Sequence, residues 1–209
     1  MTRVLISDFG GVLTSPLQEG FLAYQAESGV SLEELGTAMA KATAEHGDHP
    51  LFVLERGEIS ELEFRERIET HLEAGFDLTR LRSLYFERLV PNRPMIEFIR
   101  ELRGRGTRTA LLTNNVREWE PLWRAKLPEI DELFEVVVDS AFVGLRKPDP
   151  AIYELTLERL GDGVQASDCV FVDDLEVNCE AAETLGMTAV HYRDPEQAIA
   201  ELRASVDGA

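Results

Sequence analysis

Asp8 closes a short apolar run, RVLIS, and is followed at once by Phe9, Gly10 and Gly11. Companions stand at matching places further along: Thr113 and Asn114 after TRTALLT, Lys147 within GLRKPDP, and Asp173 and Asp174 at the end of DCVFVD. The carboxylates of Asp8 and Asp174, with the backbone carbonyl of Gly10, make an oxygen donor set suited to Mg²⁺, which leaves room for waters and substrate oxygens. A cation held there neutralises a phosphoryl group and lets an anionic nucleophile approach it. Asp8 is then placed to attack phosphorus and pass through an aspartyl phosphate. Lys147, the hydroxyl of Thr113 and the amide of Asn114 suit the remaining phosphoryl oxygens, over which negative charge spreads.

Such residues work together only if the fold gathers them. Five short apolar runs, at 3–7, 107–113, 135–140, 168–173 and 187–192, read as buried parallel strands. Helical patterns separate them, among them RPMIEFIRELRGRG, with Met95, Phe98, Ile99 and Leu102 on one face, and PAIYELTLERLG. Gly104, Gly161 and Gly186 are expected to end three of these helices in the left-handed conformation. Asp149 and Pro150 read as N-cap and first residue of a helix, which would fix the loop that carries Lys147. Strands alternating with helices predict an α/β fold, a doubly wound parallel sheet whose ligands bind beyond the carboxyl ends of the strands. All the residues singled out lie there.

Residues 16–90 break the alternation, because only helical patterns occur. Ser31 with Glu34, and Ser60 with Glu63, form capping boxes, and Phe64, Ile68 and Leu72 make an apolar stripe. This predicts an inserted unit of about four helices, 16–90, lying as a lid over a core of 1–15 and 91–209. HGDHPLFVLERGE reads as a loop between its first helices. Trp119 and Trp123, four residues apart, read as packing residues.

The chain has 209 residues with 21 basic against 39 acidic, a formal charge of -18. That charge opposes nucleic-acid backbones and anionic membrane surfaces, so neither is expected as a partner. A metal and one lysine can still invert the local field for an anionic substrate. No apolar run approaches the roughly 20 residues of a membrane span, and a cytoplasmic protein is expected. Cys169 and Cys179 read as reduced structural thiols, and SVDGA as a short unstructured tail. The motifs carry no signal for oligomeric state or for the identity of the substrate.

The ordered set DFGGVLT, LLTNN, GLRKPDPAIY and VFVDDLEVN resembles the four motifs of the haloacid dehalogenase-like (HAD) hydrolases, and the match extends over nearly the whole chain. The helical insertion resembles the family's cap of the type placed after the first strand. The resemblance implies a Rossmann-like core, Asp8 as nucleophile, and Thr113, Asn114 and Lys147 as phosphate ligands. It implies Asp174 as metal ligand with Asp173 beside it, and Asn178 as a residue that orders the metal site.

The expected activity is Mg²⁺-dependent hydrolysis of a small phosphorylated metabolite. One position departs from the pattern. Phosphatases of the family usually carry a second Asp two residues after the nucleophile, as general acid and base, and here that position is Gly10. Such a group is worth about 10²- to 10⁴-fold in rate. Its work falls to a side chain of the insert, with His46, His49 and Glu55 as candidates, or to the substrate's own leaving group, or turnover is slow. Two other activities fit the resemblance: 2-haloacid dehalogenation by the same nucleophile, and a silent domain that binds phosphate ligands without turnover.

Overall fold

A computed structural model describes residues 4–72, 77–161 and 163–207 of the chain. Its centre is a parallel sheet of β1 (Val4–Ser7), β2 (Arg108–Thr113), β3 (Val136–Asp139), β4 (Cys169–Asp173) and β5 (Thr188–His191). The spatial order is β3-β2-β1-β4-β5, and every pairing is parallel. These are the five apolar runs, trimmed slightly at their ends, and Arg3 of the first lies outside the described residues. Every residue of β1 and β4 is buried, which explains why both read as unbroken apolar runs rather than alternating ones. The chain builds from β1 outward to β3, then crosses back to β4 and β5. The order therefore reverses between β1 and β4, and that switch point is where a doubly wound sheet opens a crevice at the carboxyl ends of its strands.

Within residues 16–90 the described chain forms five helices rather than about four: α1 (Leu17–Ser28), α2 (Leu32–His46), α3 (Pro50–Glu55), α4 (Glu61–Glu69) and α5 (Leu78–Arg88). The additional one is α3, where a loop was expected. Pro50 starts it with a preset φ, the N–H groups of Phe52 and Val53 donate to the His49 carbonyl, and Val53 and Leu54 are buried beneath it. Both capping boxes form, with Ser31 and Glu34 on α2 and Ser60 and Glu63 on α4 exchanging side-chain and backbone hydrogen bonds. Each cap is worth about 1 kcal/mol. α1 packs on α5 closely enough that a Cβ at Gly20 would lie 2.8 Å from the Tyr85 Cβ.

The two linkers to this unit run side by side. Thr14 bridges Pro91 in antiparallel fashion, Ser15 N–H donates to Val90 O at 3.0 Å and Asn92 N–H to Leu13 O at 2.8 Å. One apolar cluster continues from Leu5 and Phe9 through Val116 and Trp123 into Tyr24, Leu54 and Phe64, so the insert is seated on the sheet's carboxyl edge.

The remaining helices are α6 (Arg93–Gly104), α7 (Glu120–Lys126), α8 (Ile130–Leu133), α9 (Ser140–Val143), α10 (Pro150–Leu160), α11 (Glu176–Thr184) and α12 (Pro195–Asp207). α6 buries Met95, Phe98, Ile99 and Leu102 as its periodicity requires. Gly186 (φ 93°) turns left-handed as expected; Gly161 shares a positive φ (88°) but its ψ of -171° is extended rather than left-handed helical, and Gly104 remains helical while Gly106 (φ 89°) makes the reversal. The cause is one further turn: Arg105 stays right-handed and its N–H reaches Leu102 and Glu101. The expected tail is also helical as far as Asp207, because Ala198 and Leu202 of α12 are fully buried. Gly208 and Ala209 lie outside the described residues. No described helix is long and apolar enough to cross a membrane.

Candidate active site

Strand register sets the site. Ser7 pairs with Leu111 and Val172, so the next residue, Asp8, emerges level with Asp173 across the switch point. Asp8 N–H still donates to Val172 O at 2.9 Å, which extends the β1–β4 pairing by one bond and holds the backbone under the carboxylate. Asp8, Thr113, Lys147, Asp173 and Asn178 are all buried.

Lys147 ties the acids together. Its Nζ lies 2.8 Å from Asp8 Oδ1 and 2.5 Å from Asp173 Oδ2. Burial works against the Lys147 charge, but Asp173 and Asp8 outweigh it and hold the ammonium. Burial likewise pushes the Asp8 carboxyl well above the usual carboxylate range, with Lys147 pulling it back and Asp173 and Asp174 adding to the rise. The Lys147 backbone is clamped by the Asn114 carboxamide, whose Oδ1 accepts Lys147 N–H at 2.9 Å and whose Nδ2 donates to Lys147 O at 3.0 Å. Asn114 thus fixes the lysine loop and keeps one amide N–H in hand. Downstream, Asp149 caps α10 by accepting Ala151 N–H at 2.9 Å, with Pro150 at the first position, as expected.

Asp173 is fully committed to protein partners. Its Oδ1 accepts Leu175 N–H at 2.9 Å and Asn178 Nδ2 at 3.0 Å, while Oδ2 takes Lys147. Asn178 is itself held by Tyr153, whose hydroxyl donates to the Asn178 carbonyl at 2.9 Å. Asp174, half-buried, lies on the other side of the loop, its carboxyl pushed up to about 6, first by burial and then by Asp173. Gly11 makes that approach feasible: it is left-handed at φ 77°, and a Cβ there would sit 2.1 Å from Asp174 Oδ2. The requirement for glycine therefore falls on Gly11. At Gly10 φ is not left-handed and an added Cβ would meet nothing within 4 Å.

Asp8, Asp173 and Asp174 each offer an oxygen within 4.8 Å of one another. Three buried or half-buried acids face one ammonium, an excess of negative charge that burial makes costly. A hard divalent cation with oxygen ligands fits this deficit. Since Asp173 has spent its oxygens, Asp8 and Asp174 are the acids left to hold it.

Two cavities meet over Asp8. A polar one of about 270 Å³ is lined by Asp8, Asn114, Arg146, Lys147, Asp174 and Asn178. An apolar one of about 100 Å³ runs under the insert between Phe9, Phe21, Leu54, Phe64, Tyr85 and Trp119, with Thr113 on its wall. Gly10, Glu55 and Asn114 border both.

Of the three titratable candidates in the insert, Glu55 is the one at this border. Its Oε2 accepts Arg146 Nε at 2.7 Å, and Arg146 lies over the Phe52 ring at 3.9 Å. Burial raises the Glu55 carboxyl above its ordinary value against the pull of Arg146. His46 is exposed at the end of α2, and His49 is turned onto Phe52 with its rings 4.4 Å apart. Ser140 helps seat the Glu55 backbone: its hydroxyl donates to Glu55 O at 2.6 Å and accepts Asn115 N–H at 3.0 Å. Ser140 and Arg146 escaped sequence reasoning, although Ser140 directly follows a strand and Arg146 precedes Lys147. Trp119 and Trp123 are buried as expected, Trp119 against Tyr85 and Phe86 and Trp123 against Phe9.

The family model of the haloacid dehalogenase-like hydrolases matches residues 2–186. The chain belongs to that family. Among curated HAD relatives, a sesquiterpene phosphatase of Aspergillus oryzae is 28% identical, over 98% of this chain and 96% of its own length. Acyl-CoA dehydrogenase family member 10 of Mus musculus is 32% identical over 97% of this chain, which spans about a fifth of that protein (19%). A phosphatase of Mycobacterium tuberculosis is 33% identical over 61% of this chain and 58% of its length. Among solved structures, a HAD-family enzyme of Bacteroides thetaiotaomicron in complex with magnesium and inorganic phosphate superposes with TM-score 0.71 at 22% identity, over 92% of this chain and 95% of that one. L-2-haloacid dehalogenase of Xanthobacter autotrophicus gives 0.63 at 20% identity, over 100% and 84%. Likeness at these identities bears on the fold. Within it, the chain is a HAD hydrolase with helices inserted after the first strand, and its relatives include enzymes named phosphatases.

Proposed function

We propose that this HAD hydrolase is a Mg²⁺-dependent phosphatase of a small phosphorylated substrate, with residues 16–90 as cap over a core of 1–15 and 91–209. The observation that carries it is the buried Asp8–Lys147–Asp173 constellation, with Asp174 completing an acid excess suited to a cation. Asp8, Asp174 and the Gly10 carbonyl hold Mg²⁺, which when bound neutralises phosphoryl charge. Lys147 and Thr113 bind the phosphoryl oxygens, with the free amide N–H of Asn114 beside them, while Asp173 orients Lys147 and Asn178 orients Asp173. Free buried thiols at Cys169 and Cys179 accord with a reducing, cytoplasmic setting.

In the first step the Asp8 carboxylate attacks phosphorus, the bond from phosphorus to the ester oxygen breaks, and an aspartyl phosphate forms. In the second, water attacks the same phosphorus and frees Asp8 and inorganic phosphate. Glu55 takes the proton-carrying role that Gly10 lacks: it gives its proton to the departing oxygen and receives one from the attacking water. Its raised affinity for a proton, from burial, suits that exchange. The test is a panel of phosphomonoesters and 2-haloacids assayed with and without Mg²⁺. Phosphate release that needs the metal is expected; halide release without it, or phosphate binding without turnover, would overturn the proposal.

A further inference from the structure

The apolar cavity beside the proposed nucleophile opens on residues that also border the polar one, Gly10, Leu17, Glu55 and Asn114. Protein interiors leave few voids larger than a water molecule. Here about 100 Å³ stays open between Phe21, Leu54, Phe64, Leu81 and Val116 at the sheet's carboxyl edge. Three of its polar bordering groups are engaged elsewhere: Trp119 Nε1 donates to Glu61 at 2.8 Å, Glu55 Oε2 accepts Arg146, and the Asn114 carboxamide holds the Lys147 backbone, which leaves Tyr85, Thr113 and Asn115 as the polar groups on an otherwise apolar wall. A sugar or glycerol moiety in this space would leave most of its hydroxyls unpaired, each at a cost of roughly fivefold or more in affinity. A hydrocarbon chain gains about fourfold for each methylene buried.

We infer that this cavity is the leaving-group subsite and that the substrate is the phosphate ester of an aliphatic alcohol. The inference rests on the phosphatase reading for its chemistry and on the cavity for its specificity. The phosphoryl group lies among Asp8, Lys147 and Asp174, the ester oxygen lies at the border beside Glu55, and the alkyl chain runs over Gly10 between Phe21 and Leu54. A cavity of about 150 Å³ admits benzene, so one of about 100 Å³ takes roughly four carbons.

Two measurements on the full chain with Mg²⁺ decide it. In the first, kcat/KM is compared for n-alkyl phosphates from ethyl to octyl, for glycerol phosphate and glucose 6-phosphate, and for p-nitrophenyl phosphate as a general phosphatase probe. The expected result is a rise of about fourfold per carbon up to butyl or pentyl, a plateau beyond, and the polar esters below butyl phosphate. Flat chain-length dependence, or preference for the polar esters, overturns the inference while leaving the phosphatase reading intact. In the second, affinity for non-hydrolysable alkylphosphonates is measured by calorimetry. If no ester is turned over but affinity climbs with chain length, the subsite stands and the phosphatase reading falls; if affinity does not climb, the subsite falls. Phe21→Ser, at a partly buried wall position, is expected to flatten the chain-length slope in both experiments, and an unchanged slope counts against the cavity.

Discussion

The two walls of the site are built on different principles. The core wall consists of side chains at strand ends, where nearly every polar atom has a partner: Lys147 between Asp8 and Asp173, Asp173 with Leu175 and Asn178, and Asn114 clamped to the Lys147 backbone. The wall formed by the insert is mainly apolar and carries one half-buried acid, Glu55, paired with Arg146 from the core. On the phosphatase reading proposed above, the first wall fixes charge and geometry for the reaction and the second selects the shape and polarity of the leaving group. Chemistry and specificity therefore depend on different parts of the chain, and substitutions in each should fail in different ways.

Lys147→Met should show the largest effect. It leaves Asp8 and Asp173 buried without their cation, a change worth about 3–5 kcal/mol in stability. Urea denaturation in the presence of a chelator should show that loss and added Mg²⁺ should recover part of it, with phosphatase turnover abolished in either case. Glu55→Gln comes next and tests the opposite wall: kcat on an alkyl phosphate is expected to fall about 10²- to 10³-fold. On p-nitrophenyl phosphate, whose leaving group needs little protonation, the fall should be much smaller. Equal losses on both substrates would make Glu55 a positioning residue.

Asp139 provides a contrast within the core wall, as a strand-end acid without a lysine. It accepts Ala141 N–H at 3.0 Å, while its Oδ2 is buried without a partner among the described residues. Burial pushes its carboxyl up to about 6. A folded-state value raised above the unfolded one adds stability that is fully present below about pH 4 and lost as pH rises through about 6. Asp139→Asn should remove that dependence and gain on the order of 2 kcal/mol at neutral pH, read as the difference between urea midpoints at pH 4 and pH 7.5. The smallest expected change is at the border of the two walls. Gly10→Asp enters open space at an ordinary backbone angle, and with Glu55 already in place it should raise kcat on unactivated esters by only about tenfold.

The core wall was largely legible in advance because strand periodicity and topology determine it. Once five buried runs alternate with helices, the residues after them must share one edge, and Asp8, Thr113, Lys147, Asp173 and Asp174 do so. Asn178 was legible only through the resemblance, and its hydrogen bond to Asp173 supplies a physical reason for it. Inside the insert, by contrast, segment 50–55 passed for a loop because six residues show too little periodicity, and its helix depends on burial of Val53 and Leu54. Glu55 sits at the end of that helix, so its partner Arg146, which is remote in sequence, could not be read from spacing. The apolar cavity was illegible for the same reason: its walls come from α1, α3, α4, α5 and two core loops, and none of these segments reveals that the others leave a gap.

Rapid mixing with p-nitrophenyl phosphate and acid quenching, followed by mass spectrometry of the peptide that contains Asp8, tests the proposed roles of Asp8 as nucleophile and of the acid cluster as a Mg²⁺ site. A phosphoryl group on Asp8 that requires Mg²⁺ and disappears in Asp8→Asn is predicted. Phosphate release that persists in Asp8→Asn, or that proceeds at full rate in a chelator, would contradict those roles.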